Sequence, residues 1–600
     1  MKRRLWIIPV LTALIALLAC GAALADQSGS CGDSLTWKLT AAGELTISGT
    51  GEMTEYSYEN RPPWYASRAS ITSIKIENGI TSLCNRAFQG CTAVTDVTVP
   101  PSVAKIDYLA FSQCSALTEV TVLNRDAVIG DNDHDVFQNC ASGFTLRGFT
   151  DSTAEAYAET ADHSFANPRC GSDLTWDLNS KGWLTVSGTG SMPDFSSSSF
   201  LPPWFYLRQK IKIVFINSGV TSIGQNAFST CYYLTGMVIE DSVTSIGDWA
   251  FYSCSSLDGI NIPRSLTSIG DWAFHGCESV TSLTVMSGVT SIGQDAFSDC
   301  TGLTTVTLLE GLTSIGNNAF ESCTGLTGVT IPDSVTDIGQ NPFAGCTSLG
   351  SIQVSGENTV FVSVGGVLYN KQKTLLLAYP AGKSGPFTVP GGVERIEYQA
   401  FSGCAGLTGV TIPNSVKGIL THAFRNCTGL TGVSLPKSVE FISHSAFEGC
   451  SGLAYASVHN TETSFSDNVF AGTPSGFILR GHSGSTAQAY AAANGHAFET
   501  LVEMSAPNFT LPAGLTRIEA EAFSGAKMTV VYIPDKVTSL GSKAFANCAG
   551  LTQIRIPASV TSIAEDAFQG IDPGRLTVFG SPGSAAEAFA GNAGFSFELE

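Results

Sequence analysis

Residues 312–334 read LTSIGNNAFESCTGLTGVTIPDS, and the architecture of the chain follows from that stretch and its copies. Phe320 lies 23 residues after Phe297 and 23 before Phe343, and the same step runs back through Phe274, Phe251 and Phe228 without exception. Three positions after each stands a cysteine: Cys231, Cys254, Cys277, Cys300, Cys323 and Cys346. The unit recurs around Phe88, Phe111, Phe401, Phe424, Phe447, Phe545 and Phe568, with divergent copies at Phe137, Phe470 and Phe523. Self-similarity at a fixed period of roughly 20–50 residues marks stacked repeats.

Within a unit, the L-T-x-V-x-I run has the period-two alternation and β-branched content of a short strand. The x-x-A-F-x-x-C run has the spacing of one helical or 3-10 turn. A lone unit cannot stand: burying an apolar side chain gains about 1.5–3 kcal/mol, and only six, such as Val220, Ile223, Phe228, Leu234, Met237 and Ile239, face about 1–2 kcal/mol per residue for ordering the backbone. Stacking closes that gap, because each strand then bonds to the next and each phenylalanine packs on its neighbours. The expected fold is a β-rich repeat solenoid.

The unit resembles the BspA-type leucine-rich repeat, a family of bacterial and protist surface proteins, over nearly the whole mature chain. That resemblance implies secretion, adhesion to host or matrix proteins, and no catalysis, with a ligand that differs widely among members.

Two further duplications mark the ends of the arrays. Cys31-Gly32, Leu35-Thr36-Trp37, Leu45-Thr46, Ser48-Gly49-Thr50-Gly51 and Met53 reappear 139 residues later at Cys170, Leu174, Leu184, Ser187 and Met192, each copy leading into a Pro-Pro-Trp at Trp64 or Trp204. These segments read as β-hairpin N-terminal caps. A closing element occurs three times, anchored by Gly148, Tyr157 and Phe165, by Gly481, Tyr490 and Phe498, and by Gly580, Phe589 and Phe597; its Ala-rich middle, as in residues 487–493, reads as a short helical C-terminal cap. The resulting division is a signal peptide at 1–25, a first array at 26–167, a long second array at 168–501, and a short third array at 502–600. Between Phe343 and Phe401 the interval is 58 residues, not 46. The additional residues, near 355–385 and centred on 360–379, read as a hairpin projecting from the second array.

The leader sets the compartment. Lys2, Arg3 and Arg4 precede an apolar run too short for a bilayer span, which needs about 20 residues, and Ala23-Leu24-Ala25 supplies a small-x-small cleavage site. Simple cleavage before Asp26 is the leading reading, and lipidation at Cys20 is the alternative means of attachment. Loss of the leader removes three of 31 basic residues, leaving 28 against 51 acidic ones. Nucleic acid is therefore excluded as a partner, since its binding depends on phosphate neutralisation by Lys and Arg. No other stretch spans a membrane. The expected product is a secreted or cell-surface monomer whose partner is an extracellular protein or glycan, acting as an adhesin or interaction scaffold. The alternative is a structural spacer or self-assembling envelope component.

No catalytic constellation stands out and no cofactor is implied. Gly481-His482-Ser483-Gly484 has the look of a nucleophile turn, but Ser485 replaces the closing glycine and the stretch reads as a cap turn. Asp131, Asp133 and Asp135 alternate in an expanded repeat and form a weak calcium candidate, though a solvated loop suits them better. Thirteen cysteines share the repeat position; a ladder of buried thiols is favoured over disulfides or a thiolate metal site, because equivalent side chains in successive coils point the same way. The pairing of Cys31, Cys84 and Cys170 stays open. Outward positions of the sheet face, Gly236, Gly259, Ser282, Thr305 and Gly328 beside Val238, Asn261, Thr284, Thr307 and Thr330, offer a small, neutral surface. The exception lies ahead of the core phenylalanine: where other coils carry Asn226, Asp295, Asn318 and Pro342, two successive coils carry Trp249 and Trp272, with Tyr252 and His275 one turn further on. These four are the candidate binding residues, against the simpler reading that the two indoles stack on each other.

Overall fold

The computed structural model describes residues 26–130, 135–196, 200–501 and 508–599. The expected leader, Cys20, Asp131 and Asp133 lie outside them. The chain forms two compact units, divided between Val243 and Thr244.

In the unit beginning at Thr244, most coils contribute to three parallel strips. The first is the anticipated strand: Ser282–Val285 pairs in parallel with Thr305–Leu308, Leu283 opposite Val306. Leu283, Val285, Val306 and Leu308 point into the core, and Ser282, Thr284, Thr305 and Thr307 point to solvent. A second strip comes from the V-T-S-I segment, where Ser245–Ile246, Ser268–Ile269, Ser291–Ile292, Ser314–Ile315 and Asp337–Ile338 follow one another in parallel. The threonine of that segment serves the stack directly: the Thr290 amide and hydroxyl both donate to the carbonyl of Thr267 one coil back, at 2.8 and 3.1 Å.

The third strip is the turn around the phenylalanine, and it carries its own ladder. The amides of Trp249, Phe251 and Ser253 donate to the carbonyls of Asp271, Ala273 and His275 in the next coil, at 2.9, 2.8 and 2.7 Å. Alternate amides face the neighbour because residues two before and two after the phenylalanine are left-handed in most coils, as at Trp249 (φ 52°) and Ser253 (φ 54°). Inside this turn the rings stack almost parallel: Phe251 on Phe274 at 5.1 Å and 2°, Phe274 on Phe297 at 5.4 Å and 1°, Phe297 on Phe320 at 5.4 Å and 8°.

In the unit ending at Val243, two antiparallel hairpins feed the stack. Leu35–Leu39 pairs with Glu44–Gly49, which continues in parallel to Ser73–Ile76. Leu174–Leu178 pairs with Trp183–Gly188, which continues to Ile213–Ile216. The Pro-Pro-Trp explains how a ladder begins. In most coils the core phenylalanine amide donates to the carbonyl of the residue just before the next phenylalanine, as Phe88 does to Ala110, Phe251 to Ala273 and Phe320 to Pro342, so the first coil presents an alanine carbonyl with no preceding coil to supply a donor. The indole supplies it: Trp64 Nε1 donates to Ala87 at 2.9 Å and Trp204 Nε1 to Ala227 at 2.7 Å. Each indole also occupies the ring position, Trp204 stacking on Phe228 at 5.2 Å and 9°. Trp204→Phe keeps a ring and removes the donor, and should cost about 1–3 kcal/mol. Thermal unfolding beside the exposed control Tyr206→Phe measures this; equal melting of the two variants would refute the role.

Helices Thr153–Thr160, Thr486–Asn494 and Ala585–Ala593 lie at the three closing elements. Each starts on a capping box: Ser152, Ser485 and Ser584 accept from the amides of Glu155, Gln488 and Glu587, whose side chains reach back to the amides of Asp151, Gly484 and Gly583. One apolar cluster runs from Cys31 to Phe165, another from Val367 to Phe498, and a third from Leu511 to Phe597.

The added segment does form an antiparallel hairpin, Phe361–Val364 with Val367–Asn370. It does not stand off the array as expected. Val367, Leu368 and Tyr369 are all buried, and Val367, Tyr369 and Leu376 belong to the core. Tyr379 takes a phenylalanine position, stacking on Phe401 at 4.8 Å with its amide on the Ala400 carbonyl. The hairpin thus walls a coil in which tyrosine replaces phenylalanine.

Candidate functional site

The left-handed turn positions decide how the aromatic column should be read. Asn226, Asp295, Asn318 and Asn468 adopt φ of 56°, 50°, 52° and 58° two places before their phenylalanines. Asn and Asp tolerate this region best after glycine, but the position also holds Arg86, Leu109, Gln399 and Lys543 at φ 54–58°, so the turn imposes the conformation on whatever residue stands there. Pro342 stands one place later than this column, and Asn341 fills it in that coil, its amide donating to the Gln399 carbonyl at 2.7 Å. Trp249 and Trp272 adopt the same conformation, at φ 52° and 57°, which for an ordinary L-residue costs about 1–2 kcal/mol.

The four candidate side chains are half-buried rather than fully exposed. His275 is the hub: Tyr252 stacks on it at 4.9 Å and 14°, and Trp272 leans over it at 5.0 Å and 58°. His275 Nε2 lies 3.6 Å from Asp299 Oδ2, while its Nδ1 is buried without a hydrogen-bond partner. Burial lowers the imidazole pKa against the opposing pull of Asp299 and Asp295. Asp295, in the next coil of the tryptophan column, is buried, and desolvation raises its pKa. The sequence reading named Asp295 only as a polar member of the column and did not read its carboxylate as buried beside His275.

The outward sheet positions are small and neutral as read, with Thr284, Thr307 and Thr330 exposed. Of the calcium candidates, Asp135 has its carboxylate engaged by the Phe137 amide and Tyr157 hydroxyl at 2.9 Å and by His163 Nε2 at 3.0 Å. Among the described residues, no three His, Cys, Asp or Glu side chains group as metal ligands. Ser483 is exposed in the turn that leads into the Ser485 cap.

All 16 described cysteines are free thiols, Cys31, Cys84 and Cys170 included. In the repeats they are donors as well as filling: Cys277, Cys300, Cys323 and Cys346 reach the phenylalanine carbonyl of the preceding coil at 3.4, 3.3, 3.2 and 3.1 Å. Burial pushes the Cys231 and Cys300 thiols up to about 12, and thiolate is the reactive form. Native protein at pH 8 should therefore leave the repeat thiols unlabelled by an aromatic disulfide reagent, and denatured protein should expose all of them. Rapid native labelling, or cross-linked neighbours in non-reducing mass mapping, would overturn this reading.

Stacked coils with leucine-rich strands, a phenylalanine ladder and a turn strip define a leucine-rich-repeat solenoid. Residues 64–159, 202–300, 272–364, 383–491 and 493–579 match the BspA type Leucine rich repeat region, and the chain belongs to that family. Among solved structures it is similar to a leucine-rich repeat protein from Eubacterium ventriosum, 26% identical over 67% of this chain and 94% of that one, TM-score 0.42. A leucine rich cell surface protein from Faecalibacterium prausnitzii is 27% identical over 72% and 96%, TM-score 0.40. The pneumococcal vaccine antigen PcpA is 19% identical over 72% and 98%, TM-score 0.34. No curated protein matches the chain. Among the described residues no helix is long and apolar enough to cross a membrane.

Proposed function

We propose that this chain is an exported, non-catalytic adhesin or interaction scaffold, held at or released from the cell surface, that binds an extracellular protein or glycan through the cluster of Trp249, Tyr252, Trp272 and His275. The observation carrying this is the clustering of large half-buried aromatics on successive coils, Tyr252 stacked on His275 at 4.9 Å and Trp272 over it at 5.0 Å, with Trp249 in the same column. Neither tryptophan position needs an aromatic for the fold, since Asn occupies it at 226 and 318 with the same φ. Aromatic anchors supply much of the binding energy of protein interfaces. The organisation that goes with this reading is three arrays, at 26–167, 168–501 and 502–600, each closed by its own helix; the separate apolar clusters at 31–165 and 511–597 support it. The test is binding of the purified mature chain to arrayed matrix proteins and glycans. A specific, saturable ligand supports the adhesin. Head-to-tail association of the chain with no ligand on either array would replace it with an envelope spacer.

A further inference from the structure

The two hairpin modules share a scaffold and differ in what they display. In the second, Lys181, Lys210 and Lys212 line a cavity of about 410 Å³ together with Arg125, Asn179 and Ser180. Arg125 is already committed, donating to the Thr150 and Leu178 carbonyls and facing Asp177. None of the three lysines is in an ion pair among the described residues, all three are exposed, and one carboxylate, Asp126, shares the lining. Such a concentration of unpaired cations is unexpected in a chain of formal charge −20.

Beside the lysines lies an apolar shelf on the sheet. Trp183, 37% exposed, meets Phe215 at 5.7 Å, with Lys181 Nζ 5.0 Å from the indole centroid. Phe215 stands opposite Val238 on the next strand, which is 40% exposed. The module at 31–76 is the internal control. Trp183 pairs with Ile213 as Glu44 pairs with Ser73, and Phe215 pairs with Thr185 as Lys75 pairs with Thr46. Lys181, Lys210 and Lys212 correspond to Ala42, Ser70 and Thr72: the Lys212 amide bonds the Gly182 carbonyl at 2.7 Å, and the Thr72 amide bonds that of Gly43 at 2.9 Å. The hairpin, the Trp cap and the glycine turn therefore form equally well without the lysines or the aromatics.

We propose that this face of the second module binds an acidic glycan, a sugar polymer bearing carboxylate or sulfate groups. The lysines pair with its anions, and the Trp183–Phe215 shelf packs against the apolar faces of its rings. Aromatic surface combined with fixed cations suits such a polymer, because a neutral sugar gains nothing from the lysines and a simple anion gains nothing from the shelf.

The experiment is calorimetric titration of the full mature chain with a heparin octasaccharide, a hyaluronan octasaccharide and neutral maltooctaose. Binding is expected to one or both acidic probes, at least tenfold tighter than to maltooctaose and weakened by salt, since exposed charges are screened. The two acidic probes separate sulfate from carboxylate recognition. Replacing Lys181→Ala, Trp183→Glu, Lys210→Ser and Lys212→Thr together installs the residues of the first module and should abolish binding at unchanged melting temperature. The bulk-preserving pair Lys210→Gln and Lys212→Gln should weaken it at least tenfold, even if the fourfold variant proves unstable. Trp249→Asn with Trp272→Asn should leave it unaltered, which separates this site from the one proposed above. Equal affinity for maltooctaose, no binding to either acidic probe, or acidic binding that survives loss of both lysines would overturn the proposal.

Discussion

Phe297→Ala should destabilise its array by about 3–5 kcal/mol, the range for truncating a buried aromatic. The ring is fully buried and stacks on both neighbours, Phe274 and Phe320, at 5.4 Å. Its backbone amide donates to the Ala319 carbonyl at 2.8 Å and truncation leaves that donor in place, so the expected loss is one of packing and of the cavity left behind. In a solenoid, stability is a sum of coil and nearest-neighbour terms, and an interior coil loses two interfaces at once. Phe589→Ala, in the helix Ala585–Ala593 and 9% exposed, should cost less. Urea unfolding combined with amide exchange reads both effects: the Phe297 variant should lose protection first in residues 274–331 and show a broadened or split transition. A midpoint unchanged from wild type would show that the ring ladder does not hold the coils together.

Changing Trp249→Asn and Trp272→Asn together should weaken binding of the extracellular ligand at least thirtyfold, with little loss of stability. The binding figure corresponds to about 2 kcal/mol, typical of an aromatic anchor lost from an interface. Stability should hold because two effects oppose each other. Asn relieves the left-handed strain at φ 52° and 57°, about 1 kcal/mol per position, while the contact of Trp272 with His275 is lost. Asn is a better replacement than Ala here, since Ala would keep the strain without the ring. Melting temperature and affinity are measured side by side. An early-melting variant would make the indoles structural; a normally melting variant that binds unchanged would place the ligand elsewhere.

The ring ladder, the two hairpins and the three short helices are legible because each rests on distinctive residues at fixed spacing: Phe every 23 positions, the duplicated segment leading into Pro-Pro-Trp, and an Ala-rich run between recurring Gly and aromatic anchors. The second parallel strip is not, because only Ser and Ile of V-T-S-I enter it in most coils, too short a run to show alternation. The left-handed turn positions were hidden for a different reason. Glycine would have announced them, as it does at Gly276 and Gly345, but Trp249, Ser253, Asp299 and Ser322 adopt the same conformation. The tertiary ladder of amides holds these residues against their own preference. The hairpin's packing was obscured because Val367, Leu368 and Tyr369 are buried consecutively, where a strand standing in solvent would alternate. At the site, spacing brought Tyr252, Trp272 and His275 to one place, but the buried carboxylate of Asp295 and the difference between the two hairpin modules became evident only once their registers were known.

A membrane-impermeant amine reagent applied to intact, expressing cells tests most directly whether this array faces the outside of the cell. Lys181, Lys210 and Lys212 are exposed, so peptides carrying them should be labelled as fully on intact cells as on lysed ones. The labelled protein should begin at Asp26, or at a lipidated Cys20. Labelling of these lysines only after lysis would contradict the account.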